Sequence, residues 1–250
     1  MPRLAVLIDA ENAQRSILGG LIAEIAKIGS ATVKRVYGDF TTQDLSQWRE
    51  PLLTYSIQPI QQFRNTVHKN ASDSALIIDA MDLLHSKRFE GFCIVSSDSD
   101  FTRLATRIRE EGLLVYGYGE KHTPMSFIAA CDKFTYTEIL RAPGKDASGL
   151  PPVTVQKDAL GNRNDIVPQI VDAVESCANE NGWASLGQVG SVVSNHVPEF
   201  DPRHYGHRKL SALVEATGQF DLERRGNDES PAIFVRIKVK PAMQPASLPS

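Results

Sequence analysis

The sequence predicts an α/β domain built on a mostly parallel sheet, followed by a smaller domain of winged helix-turn-helix layout. Three observations carry that reading. Over residues 1–140, short apolar runs of strand length alternate with longer stretches of helical periodicity, the pattern of a sheet covered on both faces. From about residue 160 the order changes to three helical stretches and then two strand-like runs. Between them lies APGKDASGLPP at 142–152, with the proline, glycine and small polar content of a linker. The implied divisions are 1–140, a linker over 141–159, a second domain over 160–240, and a proline-rich tail at 241–250 expected to be disordered.

LAVLI (4–8) is too short for a core helix and runs into Asp9, so it reads as a buried strand. Residues 13–28 set Ile17, Leu21, Ile25 and Ile28 at helical spacing before Gly29 ends the helix. TVKRVYG (32–38) is a strand, and DLSQWREPLLTY (44–55) is helical, bent or interrupted near Pro51. SIQPIQQF (56–63) is a strand whose proline suits a sheet edge. Residues 72–87 make a long helix with Leu76, Ala80, Leu83 and Leu84 on one side. FCIVS (92–96), a helix over 99–112 and LLVYGYG (113–119) continue the alternation. A short proline-led helix over 124–132 then precedes the last strand, KFTYT (133–137).

In the second domain, Ile166, Ile170, Val174 and Cys177 define a helix over 165–179. Further helices are expected over 185–195 and 206–217, the last closed by Gly218. GQFDLERRG and PAIFVRIKV read as two strands joined by a polar turn. Trp183 reads as a core anchor rather than a stacking surface.

The chain has 250 residues, of which 42% are hydrophobic and 23% charged, enough apolar content to exclude wholesale disorder. Its 27 basic and 30 acidic residues leave a net charge of -3, which excludes capture of nucleic acid by bulk charge but not by a local patch. Three scattered cysteines are too few for a disulfide scaffold or a cysteine-rich zinc site and fit a reduced compartment. The first apolar run is broken by Asp9, and no stretch reaches the roughly 18 apolar residues of a membrane span. A soluble, cytoplasmic protein without a membrane partner is the expectation.

Ligands of α/β sheets gather at the carboxyl ends of the strands. Asp9 follows the first strand and Asn12 opens the next helix. Asp98 and Asp100 follow the strand at 92–96, and Asp73 lies in the first turn of the 72–87 helix. If those strands are adjacent and parallel, Asp9, Asp73, Asp98 and Asp100 converge. Carboxylates so placed repel one another unless a cation or protons intervene, and hard oxygen ligands suit Mg²⁺ or Mn²⁺. Each residue taken singly is equally a helix cap. Asp79 and Asp82, further along the helix, are weaker members of the set.

Other chemistries are poorly served: the chain has no GxxxxGK[ST] loop, no GxGxxG after a strand, no GxSxG elbow and no HExxH. Positive groups for a phosphate backbone are available at Arg64, His68 and Lys69, at Arg103 and Arg107 on one helix face, and at Lys121 and His122.

LIDAEN (7–12), KNASDSALIIDAMDLL (69–84), IVSSDSDF (94–101) and GLLVYGYG (112–119), in that order and spacing, resemble the NYN domain, a LabA-like branch of the PIN-like nuclease superfamily. The resemblance implies a PIN-like three-layer sandwich and a metal-dependent ribonuclease. Asp9, Asp73, Asp98 and Asp100 would be its metal-binding acids and Asn12 the catalytic asparagine beside them. One departure is visible: Ser97 stands where the family often has glycine, which alters the turn and removes no carboxylate. NGWASLGQVGSVVSNHVPEFDPRHYGHRKLSALVEATGQFDLERRG (181–226) resembles the OST-type helix-turn-helix, or LOTUS, domain. That resemblance implies RNA binding and, in some members, protein contacts, with Tyr205 to Lys209 marking the approach to the third helix. Arg208 and Lys209 are the residues there free to meet phosphates. Arg224, Arg225, Arg236 and Lys238 sit on the expected wing.

Together these observations point to a two-domain ribonuclease. Its carboxylates would hold Mg²⁺ or Mn²⁺, Arg64, Lys69, Lys121, Arg208 and Lys209 would meet RNA, and Asp79 and Arg103 would have lesser parts. A non-catalytic RNA-binding adaptor and a nuclease acting on DNA are the alternatives. Either domain could also meet a second copy or another protein.

Overall fold

The apolar run at the N-terminus forms β1 (Arg3–Asp9), in which every residue after Arg3 is buried. Such a strand needs cover on both faces and a neighbour on each edge, and the computed structural model supplies both. The structure describes residues 1–63, 71–141, 163–226 and 232–238. The linker expected from residue 142 and the tail at 241–250 lie outside the described residues. Two compact units are present, Met1–Gln156 with Ser194–His204, and Lys157–Val193 with Tyr205–Ser250.

In the first unit, β1 is joined by β2 (Ser30–Gly38), β3 (Gln58–Gln61), β4 (Gly91–Val95), β5 (Leu114–Gly119) and β6 (Lys133–Tyr136). Their order is β3-β2-β1-β4-β5-β6, and every pairing is parallel. The proline-containing strand takes the edge, as its missing N–H requires. Winding reverses between β1 and β4, so the loops leaving these two strands part and open a crevice at their carboxyl ends.

Alternation along β1 divides the core. Leu4, Val6 and Ile8 pack with Ile17, Leu21 and Ile25 of the first helical segment, in which α1 (Leu18–Ile28) follows a 3-10 turn. Ala5 and Leu7 face the other side, against α4 (Ala71–His85), α5 (Thr102–Glu110) and α6 (Met125–Ala129). The result is the three-layer α/β sandwich expected. A Cβ at Gly20 of α1 would collide with the Leu140 carbonyl oxygen, so only glycine lets this helix lie so close to the end of the first unit's sheet.

The helix expected over 44–55 is two pieces, α2 (Gln43–Ser46) and α3 (Arg49–Thr54). The break falls at Gln47–Trp48, where the indole of Trp48 is driven into the core, and not at Pro51. Pro51 sits in the first turn of α3, where an N–H has no intrahelical partner to lose. Among the described residues no helix is long and apolar enough to cross a membrane.

Beyond residue 162 the chain runs through α7 (Arg163–Cys177), β7 (Ala184–Ser185), α8 (Leu186–His196) and α9 (Leu210–Thr217) to β8 (Phe220–Arg225) and β9 (Ala232–Ile237), all in the second unit except the last three residues of α8. This is the expected winged layout with one addition: two residues of β7 pair antiparallel with β9, giving a three-stranded sheet in the order β7-β9-β8. The third helix starts at Leu210 rather than 206, because Lys209 is extended and residues 202–205 form a separate 3-10 turn. Gly218 closes α9 with φ 71, the left-handed cap that favours glycine.

Candidate active site

The site is assembled at the crevice between β1 and β4. Asp9 ends β1, is 1% exposed, and is held from three sides. Asn12 donates its Nδ2 to Oδ2 at 2.7 Å, the Ser96 hydroxyl donates to Oδ2 at 2.8 Å, and the Glu11 amide donates to Oδ1 at 3.0 Å. Burial pushes the Asp9 carboxyl above its ordinary range, and the Asn12 and Ser96 hydrogen bonds offset part of that rise. The Ser96 oxygen also accepts the Asp98 amide at 3.1 Å, so one hydroxyl ties the loop after β4 to the carboxylate after β1. Asp98 caps the 3-10 turn Ser99–Phe101 by accepting the Asp100 amide at 2.8 Å. The capping role foreseen for Asp98 therefore exists, and one bond leaves most of a carboxylate's acceptor capacity unused.

Asp73, in the first turn of α4, registers its neighbours electrostatically. Its carboxyl is pushed up to about 6, first by burial and then by the negative charges of Asp9, Asp98, Glu11 and Asp100. Five carboxylates thus share one end of the sheet. An all-oxygen donor set with this much mutual repulsion has the chemistry of a Mg²⁺ or Mn²⁺ site. Among the described residues, no three His, Cys, Asp or Glu side chains stand close enough together to form a group that could hold a metal ion. Beside Asp9, a cleft of about 470 Å³ is lined by Ala10, Glu11, Gln14, Arg15, Thr42 and Trp48.

The remaining sequence-derived residues fall into three groups. Asp79 is turned to another task, accepting Arg35 Nη1 at 2.8 Å and the buried Tyr37 hydroxyl at 2.9 Å, while Asp82 is exposed. Arg103 is exposed and lies 3.9 Å from Glu110, and Arg107 pairs with Glu110 and Glu111, so this helix face carries its own counter-charges. Lys121 is exposed just beyond β5, while Arg208 and Lys209 are exposed immediately before α9 in the second unit. Arg64, His68 and Lys69 lie outside the described residues.

Sequence reasoning missed three residues, Glu11, Ser96 and Asp39, and the bond that Ser97 makes. Glu11 accepts a hydrogen bond from Ser72 at the start of α4 and adds to the charge on Asp73. Ser96 makes the two bonds already described. Asp39, buried just past β2, accepts from the Gln61 side chain at 2.7 Å. The Ser97 hydroxyl accepts the Glu120 amide at 2.8 Å, joining the ends of β4 and β5, and its φ is not among the positive values of non-glycine residues. The serine that replaces the family's glycine thus adds a tie between strands. Of the three missed residues, only Glu11 had a signal in the sequence, its place two residues after Asp9.

Comparison with known proteins follows this division. The NYN domain matches residues 3–140, and the OST-HTH/LOTUS domain matches residues 164–231. No curated protein matches the chain. Among solved structures, a protein of unknown function from Vibrio parahaemolyticus is 18% identical over 54% of this chain and 92% of its own, with a TM-score of 0.45. An uncharacterized protein from Nitrosomonas europaea is 30% identical over 40% of this chain and 98% of its own, with a TM-score of 0.29. A Chromobacterium violaceum segment is 28% identical over 31% of this chain and 84% of its own, with a TM-score of 0.26. With its six-stranded parallel sheet and a family match over more than half its length, the chain belongs to the NYN-domain family of PIN-like nucleases and carries an OST-HTH/LOTUS domain behind it.

Proposed function

We propose that this protein is a divalent-metal-dependent ribonuclease whose second domain binds the RNA substrate. The observation that supports this most is the position of Asp73 at the switch point of a parallel sheet, where burial first and then the charges of four other carboxylates raise its carboxyl. A cluster of that kind is costly without a cation, and it lies where α/β enzymes bind their ligands.

In this reading Asp9, Asp73, Asp98 and Asp100 would hold Mg²⁺ or Mn²⁺. When bound, the ion supplies Lewis acidity to the phosphodiester and lowers the pKa of an attacking water. Asn12 and Ser96 act through Asp9, fixing its carboxylate so that it does not rotate away from the crevice. The cleft beside Ala10 and Glu11 gives the strand room to pass, and Lys121 stands at the rim for a phosphate. Arg208 and Lys209 add a second point of attachment, and two modest contacts on one chain raise the effective concentration of substrate.

Labelled single-stranded RNA, structured RNA and DNA incubated with Mn²⁺, Mg²⁺ or EDTA test this, beside an Asp98→Asn/Asp100→Asn variant. Metal-dependent RNA cleavage lost in the variant supports the reading. Equal cleavage by the variant refutes it, RNA binding without cleavage identifies an adaptor, and cleavage confined to DNA identifies the other nuclease.

A further inference from the structure

The outer face of the second unit's sheet carries two rings and two planar cations in one pile. Side chains alternate along β8, so Asp221, Glu223 and Arg225 share a face. The register sets these opposite Arg236, Phe234 and Ala232 of β9. Phe220 and Val235 point the other way and are buried in the core, which leaves the Arg225 face outward. Trp183, immediately before β7, joins it. Arg225 Cζ lies 5.0 Å from the Trp183 ring centroid and 4.6 Å from that of Phe234, and Arg236 Cζ lies 4.7 Å from Trp183. The expectation that Trp183 is a core anchor is therefore overturned: the indole is only partly covered and serves as a seat for guanidinium groups.

Both arginines are oriented by carboxylates on the same face. Arg225 Nη2 donates to Glu223 at 2.8 Å and Arg236 Nη2 to Asp221 at 3.1 Å, with the arginine side chains 38% and 43% exposed. Each has five donors, so one such bond leaves others available. Next to this pile a cavity of about 690 Å³ opens between the end of α7 and the hairpin, its charged lining being Arg236 and Lys238 together with Glu175 and Asp221.

Guanidinium groups set over aromatic rings, partly exposed and with a cleft beside them, match the alternation of base and phosphate in an unpaired RNA strand. Bases stack on aromatic and guanidinium planes alike, while phosphates take the N–H donors and the lysine. We infer that this sheet face is a stacking platform for unpaired RNA bases, made by Trp183, Phe234, Arg225 and Arg236 and separate in sequence from the Arg208–Lys209 approach. The inference rests on the RNA-binding reading of the second domain and says which chemistry that domain recognises.

The test uses the full chain in EDTA, which removes divalent metal, with a fluorescein-labelled 12-nucleotide single-stranded RNA read by anisotropy and by tryptophan emission. RNA should quench Trp183, and that share of the quench should be lost in Trp183→Phe, leaving at most the response of the other tryptophan, Trp48, which lines the first unit's cleft. Arg225→Lys and Arg236→Lys keep the charge and lose the plane, and each should weaken binding about tenfold while leaving the melting temperature near that of the parent. A fully paired RNA hairpin should bind more weakly than the single strand. Lysine variants that keep full affinity, a quench undiminished in Trp183→Phe, or equal binding of the hairpin would each overturn the platform. Loss of binding in Arg208→Gln/Lys209→Gln with the platform variants unaffected would overturn it while leaving the RNA-binding reading intact. No anisotropy change with any RNA would overturn both.

Discussion

Replacing Asp73 by asparagine should make the metal-free protein more stable at neutral pH while removing its activity. The Asp73 carboxyl is raised from 3.8 to about 6 in the folded chain. The folded state therefore binds more protons than the unfolded state between those values, and stability falls as pH rises through that window. About two pKa units correspond to about 3 kcal/mol. Asp73 is only half-buried, so solvent screening reduces this to about 1.5 kcal/mol. A carboxylate in the first turn of α4 also gains about 0.5 kcal/mol from the helix dipole, which asparagine gives up. The net expectation is a gain of about 1 kcal/mol at pH 7.5, or about 2 to 4 °C in Tm for a unit of this size. Below pH 4 the gain should vanish, because the wild-type carboxyl is then protonated. Thermal melts of both proteins in EDTA from pH 4 to pH 8 measure it. Adding Mn²⁺ should raise the wild-type Tm by more than that of the variant, since a ligand of the folded state alone stabilises it by mass action. A variant less stable than wild type at pH 7.5, or an advantage that does not change with pH, would refute the crowded-carboxylate account.

Three further expectations follow from particular contacts. Ser96→Ala removes the hydroxyl that holds Asp9 and the Asp98 amide, and should lower metal-dependent cleavage by about 10- to 100-fold while costing about 1 to 2 kcal/mol in denaturant unfolding. Gly20→Ala drives a methyl into the Leu140 carbonyl and should destabilise the first unit by at least about 2 kcal/mol, read as a lowered Tm. Arg208→Ala/Lys209→Ala should weaken RNA binding across sequences and reduce the slope of log affinity against log salt by about 1 to 2, measured by anisotropy between 50 and 200 mM salt, roughly the range over which such contacts lose most affinity.

Most of the first domain was legible because its strands are short, wholly apolar and bounded by charged or small residues. β1 and β4 could scarcely be anything else, and their terminal aspartates are visible where the apolar runs stop. That these strands are neighbours is not written in periodicity; it stood as a condition for the acids to converge and is met in the sheet order. Where local pattern failed, a tertiary demand had prevailed. Burial of Trp48 splits a periodic helix in two, extended Lys209 delays α9, and two residues of β7 are too few to alternate. The supporting residues of the site were hidden for a related reason. Ser96 bonds to a residue 87 positions away, and Ser97 to one 23 positions away, separations that leave no local trace. Trp183 was misread because its partners, Arg225 and Arg236, arrive from strands formed much later in the chain.

The Ser96 hydroxyl spans β1 and β4, the two strands at the middle of the sheet. Central strands open only when the whole unit does, whereas loops and edges fluctuate at far lower cost. Carboxylates hung from that junction share the slow opening of the core. The Asp98 amide, bonded to Ser96, lies outside any ladder and still belongs by its partner to the most protected layer of the molecule. The arrangement of these carboxylates should therefore be lost with global unfolding of the first unit and not before it.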